Sequence, residues 1–119
     1  MARFRGPVPI LQVKNLPASL RFYRDLLGFR QDYSFPDYEP AFIHLKTEGG
    51  TVGLTKATEP VLAASTSIWI SCDDVDAAIS ELRDAGVTIK SEPVDQPWGQ
   101  RVASVADPDG YTVIIGEPA

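Results

Sequence analysis

Two stretches of this chain place apolar residues at helical spacing. Leu16, Leu20, Tyr23 and Leu27 fall at i, i+4, i+7 and i+11, the stripe by which an amphipathic helix meets a core. Val75, Ala78, Ile79 and Leu82 make an equivalent stripe. Asn15 and Asp74 stand just before these stripes as N-caps, and Gly28 and Gly86 just after them as stops. The two stretches also repeat one another. LPASLRFYRDLLG, from Leu16 to Gly28, matches VDAAISELRDAG, from Val75 to Gly86, with Leu20 against Ile79, Tyr23 against Leu82 and Arg24-Asp25 against Arg83-Asp84. A repeat at that spacing predicts two modules with one plan. The Arg-Asp pairs are expected to be solvated helix-end residues.

Each helix is preceded by a short run rich in β-branched and aromatic residues, Val8 to Val13 in one case and Ser67 to Cys72 in the other, and each run reads as a strand. Three further strand candidates follow each helix: Phe29 to Tyr33, Ala41 to Lys46 and Thr51 to Thr55, then Thr88 to Glu92, Arg101 to Ala106 and Tyr111 to Gly116. Gly49-Gly50 supplies a hairpin turn in the first set and Asp107 to Gly110 a turn in the second. The predicted fold is α+β: two tandem βαβββ modules forming curved mixed sheets within one domain spanning 1–119. Module one covers about 1–57 and module two about 66–119. The aperiodic stretch at about 58–65, with Thr58, Glu59, Pro60 and small alanines, is the linker.

Composition narrows the function classes. At 119 residues and 13.0 kDa the chain holds one modest core, and dimerisation would help it. No apolar run approaches the roughly 18 residues a membrane helix needs. The N-terminus, with Arg3 and Arg5, runs into Pro7 and Pro9 instead of an apolar signal core; a cytoplasmic protein is expected. A single cysteine, Cys72, excludes an internal disulfide framework and a multi-cysteine zinc site, and it reads as a small core residue at a strand end. The net charge of -5, with eleven scattered Lys and Arg, argues against nucleic acid and suits a cationic ligand.

Candidate chemistry concentrates in loops. Gln96-Pro97-Trp98-Gly99 frames a large aromatic ring between a proline and a glycine, where the backbone is punctuated and a ring has no core to enter; it reads as a contact surface. The one histidine, His44, alternates away from Ile43 and Leu45 and is expected on a sheet face. Asp107 and Asp109 lie on a loop too short for an EF-hand and read as turn chemistry.

A duplicated βαβββ unit with FYRDLLGF on its first helix and DPDG before its last strand resembles the vicinal oxygen chelate superfamily, which includes glyoxalases, extradiol dioxygenases and antibiotic-binding proteins. The likeness covers nearly the whole chain. In metal-using members His or Glu ligands stand at the start of each module's first strand and in its last strand. The matching positions here are Val8, Gly53, Ser67 and Ile114, and none offers imidazole or carboxylate. The resemblance therefore implies no metal site, no cofactor and no catalytic residue.

Within that superfamily the chain is most similar to the metal-free bleomycin-binding resistance proteins. The likeness rests on Val8-Pro9, on Gly28-Phe29 with Asp32, Tyr33 and Tyr38, on Trp69, and on Gln96 to Gly99 followed by DPDG. What it implies is a homodimer with ligand grooves at the dimer interface and an N-terminal arm exchanged about Pro9; a plain strand-edge proline is the other reading. Trp98, Tyr33 and Tyr38 would stack on a planar ligand, Trp69 would line the groove floor, and Asp32 or Asp37 would attract a cation. Phe35 and Gly99 complete the predicted ligand-binding set. Alternation leaves Trp69 open between groove and core, while Phe22 and Tyr23 are assigned to the core. Phe35-Pro36 and Glu39-Pro40 depart from the subgroup's usual loop.

The leading expectation is a metal-free protein that sequesters a planar, cationic antibiotic of bleomycin type, giving resistance. A binder of another aromatic metabolite is one alternative. A second is a glyoxalase- or dioxygenase-type enzyme with shifted metal ligands such as His44, Glu48 or Glu117. A third is an interaction or regulatory module with no small ligand.

Overall fold

The computed structural model describes residues 2–36 and 40–118. The chain divides into two compact units, the first ending at Val61 and the second beginning at Leu62. Both are built as βαβββ, as the repeat predicts.

In the first unit β1 (Ile10–Val13) is followed by α1 (Leu16–Leu20), a π-helical segment (Arg21–Leu26), and strands β2 (Arg30–Phe35), β3 (Phe42–Thr47) and β4 (Gly50–Lys56). The sheet order is β1-β4-β3-β2, with β1 parallel to β4 and the other neighbours antiparallel. Asn15 caps α1 by accepting the Ala18 N–H at 3.0 Å, and Gly28 ends the helical stretch at φ +83°, a conformation an L side chain resists. The helix departs from the α period expected over 16–27. Leu27 N–H reaches the Phe22 carbonyl at 3.0 Å, the i to i+5 bond of a π turn. Ser19, Phe22 and Tyr23, at i, i+3 and i+4 on one helix face, are all buried. β1 starts at Ile10, so Val8 and Pro9 precede it; the Pro9 carbonyl nevertheless accepts the Gly53 N–H at 2.8 Å. The β3–β4 turn is Glu48-Gly49, one residue earlier than expected, because Gly50 already pairs with Thr47.

The second unit runs β5 (Ser67–Ser71), α2 (Val75–Asp84), β6 (Thr88–Asp95), β7 (Arg101–Ala106) and β8 (Thr112–Gly116), after a short 3-10 turn at Ala63–Ser65. Its sheet order is β5-β8-β7-β6, the same topology. Asp74 caps α2 through the Ala77 N–H at 3.0 Å, and the Glu117 carboxylate accepts the Val75 N–H at 3.1 Å. Arg101 ties this end of the sheet to the helix by a two-pronged pairing with Asp76 and a third bond to Asp95, each 3.0 Å; the Asp76 and Asp95 hydrogen bonds push the guanidinium pKa up from its ordinary value. Asp107 accepts the N–H groups of Asp109 and Tyr111 at 2.9 Å, so DPDG is a turn as expected. Arg24 pairs with Asp25, but Arg83 turns to Glu92 instead of Asp84. Cys72 lies past the end of β5, half-buried rather than in the core, with its thiol facing the Asp74 carbonyl.

Alternation along the strands gives each sheet one buried and one open face. Leu11, Val13, Ile43, Leu45, Val52 and Leu54 fill the core of the first unit, and Val75, Ile79, Ala103, Val105, Val113 and Ile115 that of the second. Each fully buried aliphatic side chain contributes about 1.5–3 kcal/mol. No helix among the described residues is long and apolar enough to cross a membrane.

Candidate functional site

The open faces carry the candidate residues. On the first unit, strand register aligns Ile10, Gly53, His44 and Tyr33 in one row across the four strands, with Phe42 and Phe35 paired in the next. A β-bulge falls between Gln31 and Tyr33. The extra residue is Asp32, which a regular strand would put on the opposite face from Tyr33; the bulge re-aims it, and its carboxylate accepts from His44 Nδ1 at 3.1 Å and lies 3.6 Å from Lys46 Nζ. Tyr33 stacks on the imidazole with ring centroids 5.2 Å apart and tilts toward Phe42 at 5.9 Å. Tyr33 remains 55% exposed and Phe35 71%, so both rings present a face to solvent. Asp32, Tyr33 and Phe35 are thus gathered on β2, whereas Tyr38 and Asp37 lie outside the described residues.

On the second unit Trp69 belongs to the open face with Ser67 and Ser71, and Ile68 and Ile70, both half-buried, point to the opposite side. Trp69 is therefore outside the core. The indole lies flat over β8: a Cβ added at Gly116 would overlap its ring, standing 2.9 Å from Cη2. Trp69 is 47% exposed. Trp98 occupies the β6–β7 hairpin, which Gly99 closes with φ +100° and Gln96 N–H seals on the Gln100 carbonyl at 2.8 Å, the arrangement of a type I turn followed by a glycine bulge. Its indole N–H donates to Gln100 Oε1 at 2.8 Å, and Gln100 Nε2 donates to the Glu117 carbonyl at 2.8 Å. The ring is therefore held at its edge while 64% of the residue stays exposed. Gln100 links Trp98 to the residue that follows Gly116, so both indoles stand at the same end of this sheet.

The four positions at which metal-using relatives hold ligands do not fit a divalent cation. Gly53 has its side-chain space filled by Phe42, whose Cε1 would lie 2.7 Å from an added Cβ. Ile114 is aliphatic, Val8 lies ahead of β1, and Ser67 offers one hydroxyl. The residues of the shifted set are engaged within their own units: the Glu117 carboxylate caps α2, His44 pairs with Asp32, and Glu48 sits in the exposed β3–β4 turn. Among the described residues no group of three His, Cys, Asp or Glu is arranged to hold a metal ion.

Sequence reasoning missed Phe42, Ile10, the Asp32–His44 pair and the Gln100 bracket. Parity carried part of the signal, since Phe42, His44 and Lys46 share one face of β3. The bulge that delivers Asp32 has no comparable mark in the sequence.

The family model of the Glyoxalase/Bleomycin resistance protein/Dioxygenase superfamily matches residues 6–115. The chain belongs to that superfamily, which holds both enzymes and non-enzymatic binding proteins. A protein of Mycobacterium bovis known as Uncharacterized protein Mb0911c is 29% identical over 123 residues, covering 92% of this chain and 81% of that protein. Among solved structures, TnmS3, an antibiotic binding protein from Streptomyces sp. CB03234, superposes with TM-score 0.81 at 24% identity, over 100% of this chain and 99% of its own. Lactoylglutathione lyase from Agrobacterium tumefaciens superposes with TM-score 0.75 at 20% identity, over 94% and 92%. These two likenesses show the shared fold.

Proposed function

We propose that this chain is a metal-independent, homodimeric binding protein that sequesters a planar, cationic antibiotic of bleomycin type and so gives resistance. One observation carries the reading: exposed aromatic rings stand on the open sheet faces and the Trp98 hairpin, while the positions that hold metal in relatives carry a glycine, two aliphatic side chains and a single hydroxyl in place of imidazole or carboxylate. Aromatic faces hold flat, cationic groups by stacking and cation–π attraction, and a net charge of -5 raises the local concentration of a cation. The described residues of the N-terminal segment 2–9 are exposed throughout, as an arm that leaves its own chain to pack on a second copy would be, with Pro9 as its hinge. Superfamily members bind small molecules and commonly form dimers. In this reading the protein is cytoplasmic, needs no cofactor, and catalyses nothing.

The test is a titration with metal-free and copper-loaded bleomycin, followed by intrinsic fluorescence. The chain has two tryptophans, so Trp98→Phe leaves Trp69 as the sole reporter. Saturable quenching is expected with wild type, and Trp98→Ala should weaken binding about ten- to a hundredfold, the cost of losing a stacked, desolvated ring. Undiminished affinity in Trp98→Ala would remove the hairpin from the site. No response to either form would turn the reading to another aromatic metabolite, and a stoichiometric divalent metal in the purified protein would turn it to an enzyme.

A further inference from the structure

The Asp32–His44 pair makes a demand on the ligand that the aromatic faces alone do not. An ionised carboxylate only accepts hydrogen bonds, so Asp32 Oδ2, 3.1 Å from His44 Nδ1, requires the proton of a neutral imidazole to sit on Nδ1. Lys46 Nζ, 3.6 Å from Oδ1, holds the same carboxylate from its other side. Nε2 is then a bare acceptor. It makes no hydrogen bond among the described residues, yet no buried side-chain nitrogen or oxygen among them lacks a partner; Nε2 therefore opens to solvent. Its neighbours on this face include Tyr33 stacked on the ring, Phe42 laid over Gly53, and Ile10 at the end of the row, with Lys46, Gln12 and Thr55 on the same side of the sheet.

From this arrangement we propose that His44 is a specificity-determining acceptor, selecting planar aromatic ligands that carry a ring-bound O–H or N–H donor, and that Asp32 is the positioning residue that fixes its tautomer. A ring without the donor covers Nε2 and strips its water while returning nothing, which is how an acceptor left unpaired in a binding site discriminates. The inference rests on the protein being a small-molecule binder, but it requires neither bleomycin nor Trp98.

His44 is the only histidine, so heteronuclear NMR of the imidazole nitrogens reads this residue alone. At about pH 8, where a histidine is ordinarily neutral, the unliganded protein should show a protonated Nδ1 and a bare Nε2. Asp32→Asn, whose amide can donate, should redistribute the proton toward Nε2, a change that mere loss of packing does not produce. The binding probes are β-naphthol and its methyl ether. The naphthol is expected to bind about five- to tenfold more tightly and to shift the Nε2 resonance. His44→Phe, which keeps a ring against Tyr33 and has no acceptor, should bind both probes alike. A wild-type proton on Nε2, equal affinities, a preference surviving in His44→Phe, or no binding of either probe would each overturn the proposal. A failed bleomycin titration beside a naphthol preference would support the His44 subsite and drop bleomycin; the reverse would drop the subsite and keep the sequestration reading.

Discussion

At the scale of single residues, the two open faces share a device: an aromatic ring laid over a glycine of the last strand of its unit. Phe42 covers Gly53 and Trp69 covers Gly116, and in both cases a Cβ would run into ring atoms. Glycine is required at these two places by close approach, since neither has a positive φ. Gly116→Ala should therefore push the Trp69 ring off the sheet. Overpacking of this kind costs about 1–3 kcal/mol, to be read as a lower urea midpoint, and the Trp69 emission should move to the red as the ring enters water. Gly50→Ala is the control, because its added methyl would meet only Thr47 Cγ2 at 3.7 Å; a similar destabilisation there would refute the close-approach account.

The elements show which features local chemistry dictates. The caps Asn15 and Asp74, the stops Gly28 and Gly86, the DPDG turn and all eight strands were legible because each depends on residues within a few positions of itself. Asp74→Ala should lower stability by about 1 kcal/mol, and the loss should appear as a shifted denaturation midpoint at unchanged slope. Glu117 still accepts from Val75 N–H in that variant, so a loss far above this range would mean that the cap does more than satisfy one donor. Other features required partners distant in sequence. Nothing in FYRDLLGF announces the π turn that closes the first helix. The paired bulges, after Gln31 in β2 and after Ile89 in β6, are visible only once each strand is set beside its neighbour, and the first of them creates the Asp32–His44 pair. Trp69 shares parity with Ser67 and Ser71, opposite the half-buried Ile68 and Ile70, so its place outside the core was legible.

For the molecule as a whole, charge and exposed apolar surface pull association in opposite directions, and that opposition yields a signed prediction. Phe4, Val8 and Ile10 are exposed at or just before the first strand, apolar area of a kind that a second copy would remove from water. Each copy carries a net charge of -5, so a dimer carries twice that, -10, and its halves repel. Salt screens the repulsion, with a Debye length falling from about 10 Å at 0.1 M to about 3 Å at 1 M. If the chain is the dimeric binder of a cation proposed above, dimerisation should therefore strengthen as salt is raised, while capture of the cationic ligand should weaken, since the same screening removes the attraction that draws it in. Sedimentation across a salt series measures the first, with an expected species of twice 13.0 kDa, and the fluorescence titration measures the second. Removing residues 2–7 should abolish the dimer if the arm is exchanged. A monomer at every salt concentration would rule out the intersubunit groove. Dimer and ligand affinities that rise together with salt would mean that the ligand is held by apolar contact alone and that its charge plays no part.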